Sequence, residues 1–427
     1  ATLDAEDVAT ALSWPETLGL GELMNFQGTI AGHAGCLGKV AAARDRGKIV
    51  DGHAPGLSGA DLNAYLAAGP RSDHESTALD EAREKLMRGM YVMIREGTSE
   101  KNLEELLPLV TDQMYPRCLL VVDDRSCRDL FQDGDIDAVV RKAVRLGLDP
   151  IRAIQLSTIN PAIYFGMRDR GAIAPGYLAN LIVADDLRDL RPRDVYYRGH
   201  RVANGDPRAF PSAPSGETAL RDTVRMQPLA EDAFVIRARA GRQHVIELVP
   251  NQITTRKVTL EVRTDGEGVA ADVEQDVVKA AVVERHHASG RIGLGLVRGF
   301  GLRRGALATS FAHDSHNVVV VGTNDGDMHA AVAEINRLGG GLTVVADGEP
   351  LASLPLPLAG LMSPEPLETV AGRLEAVEAA AASLGVGLTS PFAVLSFLAL
   401  PVIPELRLTD LGLVDVQRME LVPLAAD

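Results

Sequence analysis

The chain has 427 residues, of which 46% are hydrophobic and 24% charged, and its 43 basic and 58 acidic side chains leave a net charge of −15. That length suits two or three domains with ample cores, and the acidic balance argues against nucleic acid as the main partner, because phosphate binding needs a basic surface. No apolar run is long enough to span a bilayer: the most apolar one, Pro391 to Ile403, is short and broken by Pro401.

Three cysteines, Cys36, Cys118 and Cys127, are too sparse for a disulfide framework, and none lies in a C-x-x-C, so a cytoplasmic protein is expected. No signal peptide is recognisable. The chain opens at Ala1, without Met, almost directly into a helical pattern, so a preceding segment is expected.

Asp4 to Ser13 reads as a short helix and Thr17 to Met24 as a buried strand carrying Glu22 near its end. Gly35 to Gly47 has helical spacing, and Lys48 to Val50 is a short strand delivering Asp51 and His53. Gly59 to Ala68 is a helix, and Ser72 to Glu75 ends the next strand at His74. Thr77 to Arg88 is a strong helix, with Thr77 and Asp80 spaced as a capping box. Tyr91 to Arg95 is a strand, Asn102 to Val110 a helix, and Arg117 to Val122 a buried strand running into Asp123 and Asp124. Asp135 to Leu146 and Pro150 to Ser157 are helices.

Strands thus end near Glu22, His53, His74, Arg95 and Asp123 at intervals of about 20–30 residues, the repeat of parallel βα architecture. Five repeats are visible, against eight in a closed barrel. After Gly166 the pattern turns to short strands: Ala179 to Ala184, then a hairpin from Val195 to Ala203. Residues 206–227 are rich in Pro, Ser and Gly and read as a linker. Beyond it, β alternation marks Phe234 to Arg237, Val245 to Val249, Val258 to Val262 and Val278 to Val283. A strand from Asn317 to Val321, a helix from Asp325 to Leu338, a strand from Leu342 to Ala346 and a long helix from Pro366 to Leu384 follow.

In a (β/α) barrel, side chains at successive strand C-termini converge on one mouth. Glu22, His53, His74 and Asp123 all fall at such ends, and imidazole with carboxylate suits a divalent transition metal. An Asp there can accept a proton from water that the metal acidifies. Taken singly, a strand-end His is more often structural, and Asp123-Asp124 is as well explained by a helix N-cap. One candidate per successive repeat makes the joint reading the stronger one.

These residues carry a resemblance. Glu22 in G-L-G-E-L-M-N-F, His53 in V-D-G-H-A-P-G-L-S-G, His74 in S-D-H-E, the strand M-Y-V-M-I-R-E-G and V-D-D-R around Asp123 resemble the bacterial adenine deaminases of the amidohydrolase superfamily. The resemblance continues through N-P-A (Asn160 to Ala162), G-A-I-A-P-G (Gly171 to Gly176), A-H-D-S-H-N (ending at Asn317), G-L-M-S and L-A-L-P-V-I-P-E-L-R-L-T-D-L-G-L-V-D-V, covering essentially the whole chain. It implies an α/β fold: a metal-dependent (β/α)8 barrel with strands four to eight visible, a small β domain and a C-terminal α+β domain. The corresponding boundaries are 1–165 for the partial barrel, 166–205 for the remainder of the small β domain, 206–230 for the linker and 231–427 for the C-terminal domain.

The resemblance implies hydrolysis of adenine to hypoxanthine and ammonia by a metal-bound hydroxide, in purine salvage. Glu22 would bridge two metals, His53 and His74 would bind one, and Asp123 would be the strand-eight ligand and proton acceptor, with Asp124 the near alternative. The metals would be two manganese or iron ions, zinc being acceptable to the same ligands. The superfamily also draws two ligands from a His-x-His on its first strand, which this sequence does not contain; His286-His287 and His313-x-x-His316 lie far downstream. A barrel whose first three repeats precede Ala1 is therefore expected, with small-molecule adenine as partner and association into homo-oligomers. The alternatives are another amidohydrolase activity, such as cyclic amide hydrolysis, or a catalytically dead binding protein.

Other residues are candidates for the same site. Glu75, beside His74, is a candidate to carry a proton to a ring nitrogen or to hold an imidazole. Arg95, Glu96 and Arg125 at strand ends are candidates to contact the purine or to brace ligands, and His313 is a candidate substrate contact on a loop otherwise explained by capping. Gly293-x-Gly295-x-x-x-Gly299 has the wrong spacing for a dinucleotide fingerprint.

Overall fold

The computed structural model describes residues 3–202, 217–237, 241–250, 252–265 and 268–426. The chain divides into two compact units, one of residues 1–125 and 133–212, the other of 126–132 and 213–427. Among the described residues, no helix is long and apolar enough to cross a membrane. Of the linker expected over 206–230, residues 206–216 lie outside the described residues.

The first unit opens with α1 (Ala5–Leu12), capped by the Asp4 side chain, then β1 (Gly19–Leu23), α2 (Phe26–Ile30), α3 (Ala34–Arg44), β2 (Ile49–Gly52), α4 (Gly59–Ala68) and β3 (Ser72–Asp73). α5 (Leu79–Met87), β4 (Tyr91–Arg95), α6 (Leu103–Leu106) and β5 (Cys118–Val121) complete the βα repeats. After β5 the chain enters α7 (Cys127–Gln132), which is part of the second unit, and returns to the first as α8 (Ile136–Arg145), α9 (Pro150–Ser157) and α10 (Ile159–Tyr164). A three-stranded antiparallel sheet of β6 (Leu181–Val183), β7 (Asp194–Tyr197) and β8 (His200–Val202) ends the unit.

β1 pairs with β2, and β3, β4 and β5 pair in that order, all parallel. The Arg71 N–H donates to the Val50 carbonyl at 3.1 Å, tying β2 to the chain entering β3. The approach there is close: a Cβ on Gly52 would lie 2.1 Å from the Ser72 carbonyl oxygen, so only glycine fits. Val92 and Ile94 of β4 and Leu120 of β5 bury against Val139, Val140 and Ala143 of α8, whose i, i+1, i+4 spacing sets the buried stripe.

Two sequence expectations here need correction. Thr77 and Asp80 form no capping box, because α5 starts only at Leu79 and the Asp80 carboxylate is engaged by Arg83 at 2.8 Å. The helix expected over Asn102 to Val110 is a single α turn followed by a 3-10 turn over Leu107–Leu109, because Pro108 cannot donate the bond that would extend it.

The second unit is built on an eight-stranded mixed sheet. Its strands are β9 (Arg242–Leu248), β10 (Thr255–Glu261), β13 (Val277–Val283), β14 (Ile292–Arg298), β15 (Ala306–Thr309), β16 (Val318–Gly322), β17 (Gly341–Ala346) and β18 (Glu349–Pro355), with β11 (Thr264–Asp265) and β12 (Gly268–Val269) a separate small ribbon. The order is β10-β9-β14-β13-β16-β15-β17-β18, antiparallel throughout except for β14 with β9. The central strands are apolar on both faces because helices cover both. Ala281, Val283, Val318 and Val320 face α11 (Asp325–Leu338), whereas Ala280, Val282, Val319 and Val321 face the cluster formed with α12 (Leu367–Ser383) and α13 (Pro391–Phe397). A meander of β19 (Leu406–Thr409), β20 (Gly412–Asp415) and β21 (Glu420–Val422) packs beside β14.

The strand expected over Phe234 to Arg237 does not form. Those residues follow a turn closed by the Val235 N–H on the Asp232 carbonyl at 3.0 Å, and Phe234 plugs the α11 side of the core instead. Gly293 and Gly295 are strand glycines of β14: a Cβ on Gly293 would lie 1.8 Å from the Thr409 carbonyl oxygen, so their spacing serves the docking of the β19–β20 hairpin.

The turn between β13 and β14 is organised by a buried carboxylate. Glu284 is 3% exposed and accepts from the His286, His287 and Ser289 N–H groups at 2.6, 2.8 and 3.0 Å, and from the Ser289 hydroxyl at 2.8 Å. Burial opposes its charge, but these bonds outweigh burial and hold its pKa at about 2, against an ordinary 4.5. A depressed folded pKa stabilises fully above the unfolded value and fades as pH falls through the folded one. We predict that Glu284→Gln costs about 1–3 kcal/mol at neutral pH. Its urea stability should also lack the component that the parent loses between pH 4.5 and about 2.

Candidate metal centre

Each of the five parallel strands, β1 to β5, delivers one polar residue at or just past its C-terminal end. Glu22 lies in β1, His53 and His74 one residue beyond β2 and β3, Arg95 at the end of β4, and Asp123 two residues beyond β5. Glu22 Oε2 lies 3.2 Å from His53 Nδ1 and 3.0 Å from His74 Nε2. The two imidazoles stand edge to face with centroids 5.8 Å apart.

Metal bonds of about 2.0–2.2 Å from His and carboxylate ligands place neighbouring donors about 3 Å apart, which is the separation of Glu22 Oε2 from each imidazole nitrogen, and all three ligand atoms lie within 4.8 Å of one another. The donor set, one carboxylate with two imidazoles, also suits manganese, iron and zinc. His53, 2% exposed, turns its Nδ1 to this point. The residues present therefore fit a divalent cation.

Electrostatics favour positive charge at this point. Burial works against the Glu22 charge, but hydrogen bonds from His53 and His74 outweigh it and bring the carboxyl to about 2. Burial disfavours a charged His74, but the hydrogen bond and charge of Glu22, with Glu75 and Asp73, push it up to about 9. A proton on His74 satisfies this demand, and a divalent ion would displace it.

Both histidines are fixed from below. The Tyr65 hydroxyl accepts from the His53 N–H at 3.0 Å and donates to the Leu23 carbonyl at 2.7 Å, locking the turn after β2 to β1. Lys85, on α5, is fully buried. Its ammonium donates to the Ala54 carbonyl at 2.6 Å, Asp73 Oδ2 at 2.9 Å, Ser76 Oγ at 3.0 Å and Glu81 Oε1 at 2.6 Å. Asp73 also accepts from the Ala54 N–H at 2.8 Å and the Ser76 N–H at 3.0 Å. Burial would raise the Asp73 carboxyl, but Lys85 and His74 hold it far below the ordinary range. This network joins the residue after His53 to the residue before His74. Sequence reading missed it, although a lysine on the face of α5 that also carries the buried Ala82 was its signal.

A second trio, His74, Glu75 and Asp123, also brings three ligand atoms within 4.8 Å. It already contains a cation. Arg95, 3% exposed, donates from one nitrogen to Glu75 Oε1 and Asp123 Oδ2, each at 2.7 Å, and from another to Glu75 Oε2 at 3.2 Å. Among the two aspartates, Asp123 is the one in this trio; Asp124 uses its carbonyl to accept the Thr98 N–H at 2.9 Å. Asp123 takes a left-handed backbone (φ 53°), which Asp tolerates better than most residues.

The remaining predicted residues lie elsewhere. Arg125 donates from Nε to the Gly134 carbonyl at 2.7 Å, bracing the loop where the chain re-enters this unit. Glu96 pairs with Lys142 and accepts the Leu103 N–H at 3.2 Å. His313 belongs to the second unit, its ring stacked on Phe397 at 4.8 Å and 22°.

Residues 15–202 match the model of the amidohydrolase family, and residues 252–420 match that of the adenine deaminase C-terminal domain. The first unit, with its parallel strands and carboxylate–imidazole site, is thus of the amidohydrolase class. The chain is 54% identical to adenine deaminase of Dehalococcoides mccartyi over 423 residues, covering 99% of this chain and 74% of that protein. It is 47% identical to adenine deaminase 2 of Carboxydothermus hydrogenoformans over 426 residues, covering 100% and 74%. Among solved structures, molinate hydrolase is 17% identical over 42% of this chain and 46% of that one, with a TM-score of 0.32. The chain belongs to the adenine deaminase family and is a hydrolase.

Two outcomes check this centre. Lys85→Met leaves Asp73 buried and uncompensated and should cost about 3–5 kcal/mol in denaturant unfolding, while adding Asp73→Leu should recover part of it. Losing even an outer partner of a metal ligand weakens affinity by about 10–100-fold. Glu22→Gln and His74→Asn should therefore each weaken manganese binding by at least about 100-fold in calorimetric titration, and unchanged affinity in both would remove them as ligands.

Proposed function

We propose that this chain carries out hydrolytic deamination of adenine to hypoxanthine and ammonia at the strand ends bearing Glu22, His53, His74 and Asp123. The observation that carries the reading is the convergence of Glu22, His53 and His74 on one point, next to an Asp held by a buried Arg. The names of the relatives, at 45–54% identity, supply the substrate.

Glu22, His53 and His74 would hold a divalent cation, manganese or iron in preference to zinc, with Asp123 as a further ligand. Such an ion acidifies water and polarises the bond under attack. The second ion of the pair that the resemblance implies would have to share these ligands, because Arg95 already engages both oxygens of Glu75 and Oδ2 of Asp123.

The chain's own residues then divide the work. Asp123, with its side chain 32% exposed, is reachable by water and substrate. It takes a proton from the water whose oxygen attacks C6. It returns that proton to the departing nitrogen as the C6–N bond breaks, so water and adenine yield hypoxanthine and ammonia. Arg95 fixes Asp123 Oδ2 and keeps the carboxylate aimed. Glu75, bidentate on Arg95 and 3.4 Å from His74 Nε2, orients the imidazole and is the candidate to serve a purine ring nitrogen. Three unpaired cysteines accord with a cytoplasmic setting, and association into homo-oligomers is part of the same proposal.

Metal-loaded protein given adenine should release ammonia and form hypoxanthine. Asp123→Asn, which keeps shape but cannot accept the proton, should lower kcat by about 10²–10⁴-fold. Intact turnover in that variant would remove the proton-acceptor role. Activity on cyclic amides but not adenine would redirect the chemistry within the class.

A further inference from the structure

The segment that follows β4 holds an unusual concentration of unanswered polar atoms. Arg95 Nε, Glu100 Oε1 and Asn102 Oδ1 are each buried without a hydrogen-bond partner. Interiors leave few such atoms, and each asks for a water, an ion or a ligand. The backbone holding them is not loose. The Gly97 N–H donates to the Glu100 carbonyl at 2.8 Å, the Asn102 N–H to the Arg95 carbonyl at 3.0 Å, and the Thr98 N–H to the Asp124 carbonyl at 2.9 Å. A Cβ on Gly97 would lie 2.9 Å from the Val122 and Asp124 carbonyl oxygens, so the loop presses on the end of β5 that carries Asp123.

Glu100 is 8% exposed. Its Oε2 accepts from the Ser99 hydroxyl at 2.8 Å, and its Oε1 faces no partner. The neighbouring Glu96 is fully used by Lys142 and the Leu103 N–H, so the two acids of this loop are not equivalent. Burial pushes the Glu100 carboxyl up; Ser99 and Arg95 oppose this, and the charges of Asp123 and Asp124 add to it. A buried carboxyl beside like charges, with one oxygen unanswered, costs stability and persists where it does something else.

We propose that Glu100 is a substrate-contacting residue, its free Oε1 accepting a hydrogen bond from an N–H on the purine, beside the Asp123 and Arg95 that flank the reacting end. This rests on the deaminase reading above. A purine offers N–H donors and ring-nitrogen acceptors on adjacent edges. A carboxyl with one oxygen fixed by Ser99 and one without a partner presents an acceptor for such an N–H.

The test is steady-state kinetics with adenine on metal-loaded Glu100→Ala and Glu100→Gln, with bound metal and thermal midpoint measured alongside. Glu100→Ala should raise KM by about 10–100-fold. Bound metal should be unchanged and the thermal midpoint equal or higher, because the variant deletes a half-satisfied buried acid. Glu100→Gln, which keeps an acceptor oxygen, should stay within about threefold of the parent KM. An unchanged KM in Glu100→Ala overturns the proposal, and so does a KM rise that comes with lost metal or a lowered midpoint. If the parent binds adenine without turning it over, the deaminase reading fails alone, and the same contrast is then read as Kd by calorimetry. A parent that does not bind adenine overturns both.

Discussion

The geometry of this site depends on a lysine that never meets water. Lys85 reaches from α5 to four acceptors, among them the residue after His53 and the residue before His74. A buried ammonium is costly unless every donor is answered. Here it is answered so fully that the loops can move only together. Ligand sets must be held to within about 0.5 Å to select and keep a metal, and surface loops by themselves do not hold that tolerance. The Lys85–Asp73 pair moves the constraint into the core, one layer below the imidazoles it positions.

The two overlapping ligand trios share His74 but differ in what neutralises them. Glu22 is opposed only by imidazoles, which are weak and titratable cations, so that corner accepts metal charge. Glu75 and Asp123 are opposed by a guanidinium, which is permanent and planar and holds carboxylates in a fixed orientation. A divalent ion between them would have to displace Arg95, whose guanidinium holds its proton more firmly than usual beside these carboxylates, against the effect of burial. The Glu22 side of His74 is thereby suited to an added cation, whereas the Glu75 and Asp123 side already holds one.

The repeat of the first unit could be read in the sequence because each strand is short, apolar and followed by a helix of the right period. The helices Gly59–Ala68 and Pro150–Ser157 and the strand Tyr91–Arg95 occupy the residues that the pattern assigns to them. Glu22, His53, His74 and Asp123 were legible for the same reason: strand ends are where polar residues interrupt apolar runs. Lys85 and Tyr65 were not, since each sits inside a helix and its partners lie 9–42 residues away in sequence apart from Glu81. Nor was α7, a helix of six residues, too short for periodicity to declare itself. Glu100 could not be singled out among the acids around it, because its distinguishing property is an oxygen without a partner, and only packing creates that.

The motifs that carried the family resemblance through the second unit now have a physical content. Arg285, 2% exposed, spends its guanidinium on the His316 and Ala359 carbonyls, and burial lowers its pKa to about 10. Arg407, 1% exposed, donates to the carbonyls of Ile403 at 2.7 Å, Phe397 at 3.0 Å, Pro404 at 3.3 Å and also Ile253, with its pKa pushed down to about 9. None of these acceptors is a carboxylate. They are backbone carbonyls, all but those of Phe397 at the end of α13 and Ile253 lying in irregular backbone in or beside H-D-S-H-N, G-L-M-S and L-A-L-P-V-I-P-E-L-R. Buried backbone without a ladder must find donors elsewhere, and a guanidinium offers five in one plane. The length and specificity of those motifs follow: a loop that enters the interior constrains every residue around the arginine that satisfies it, whereas a strand of alternating valines constrains only their period.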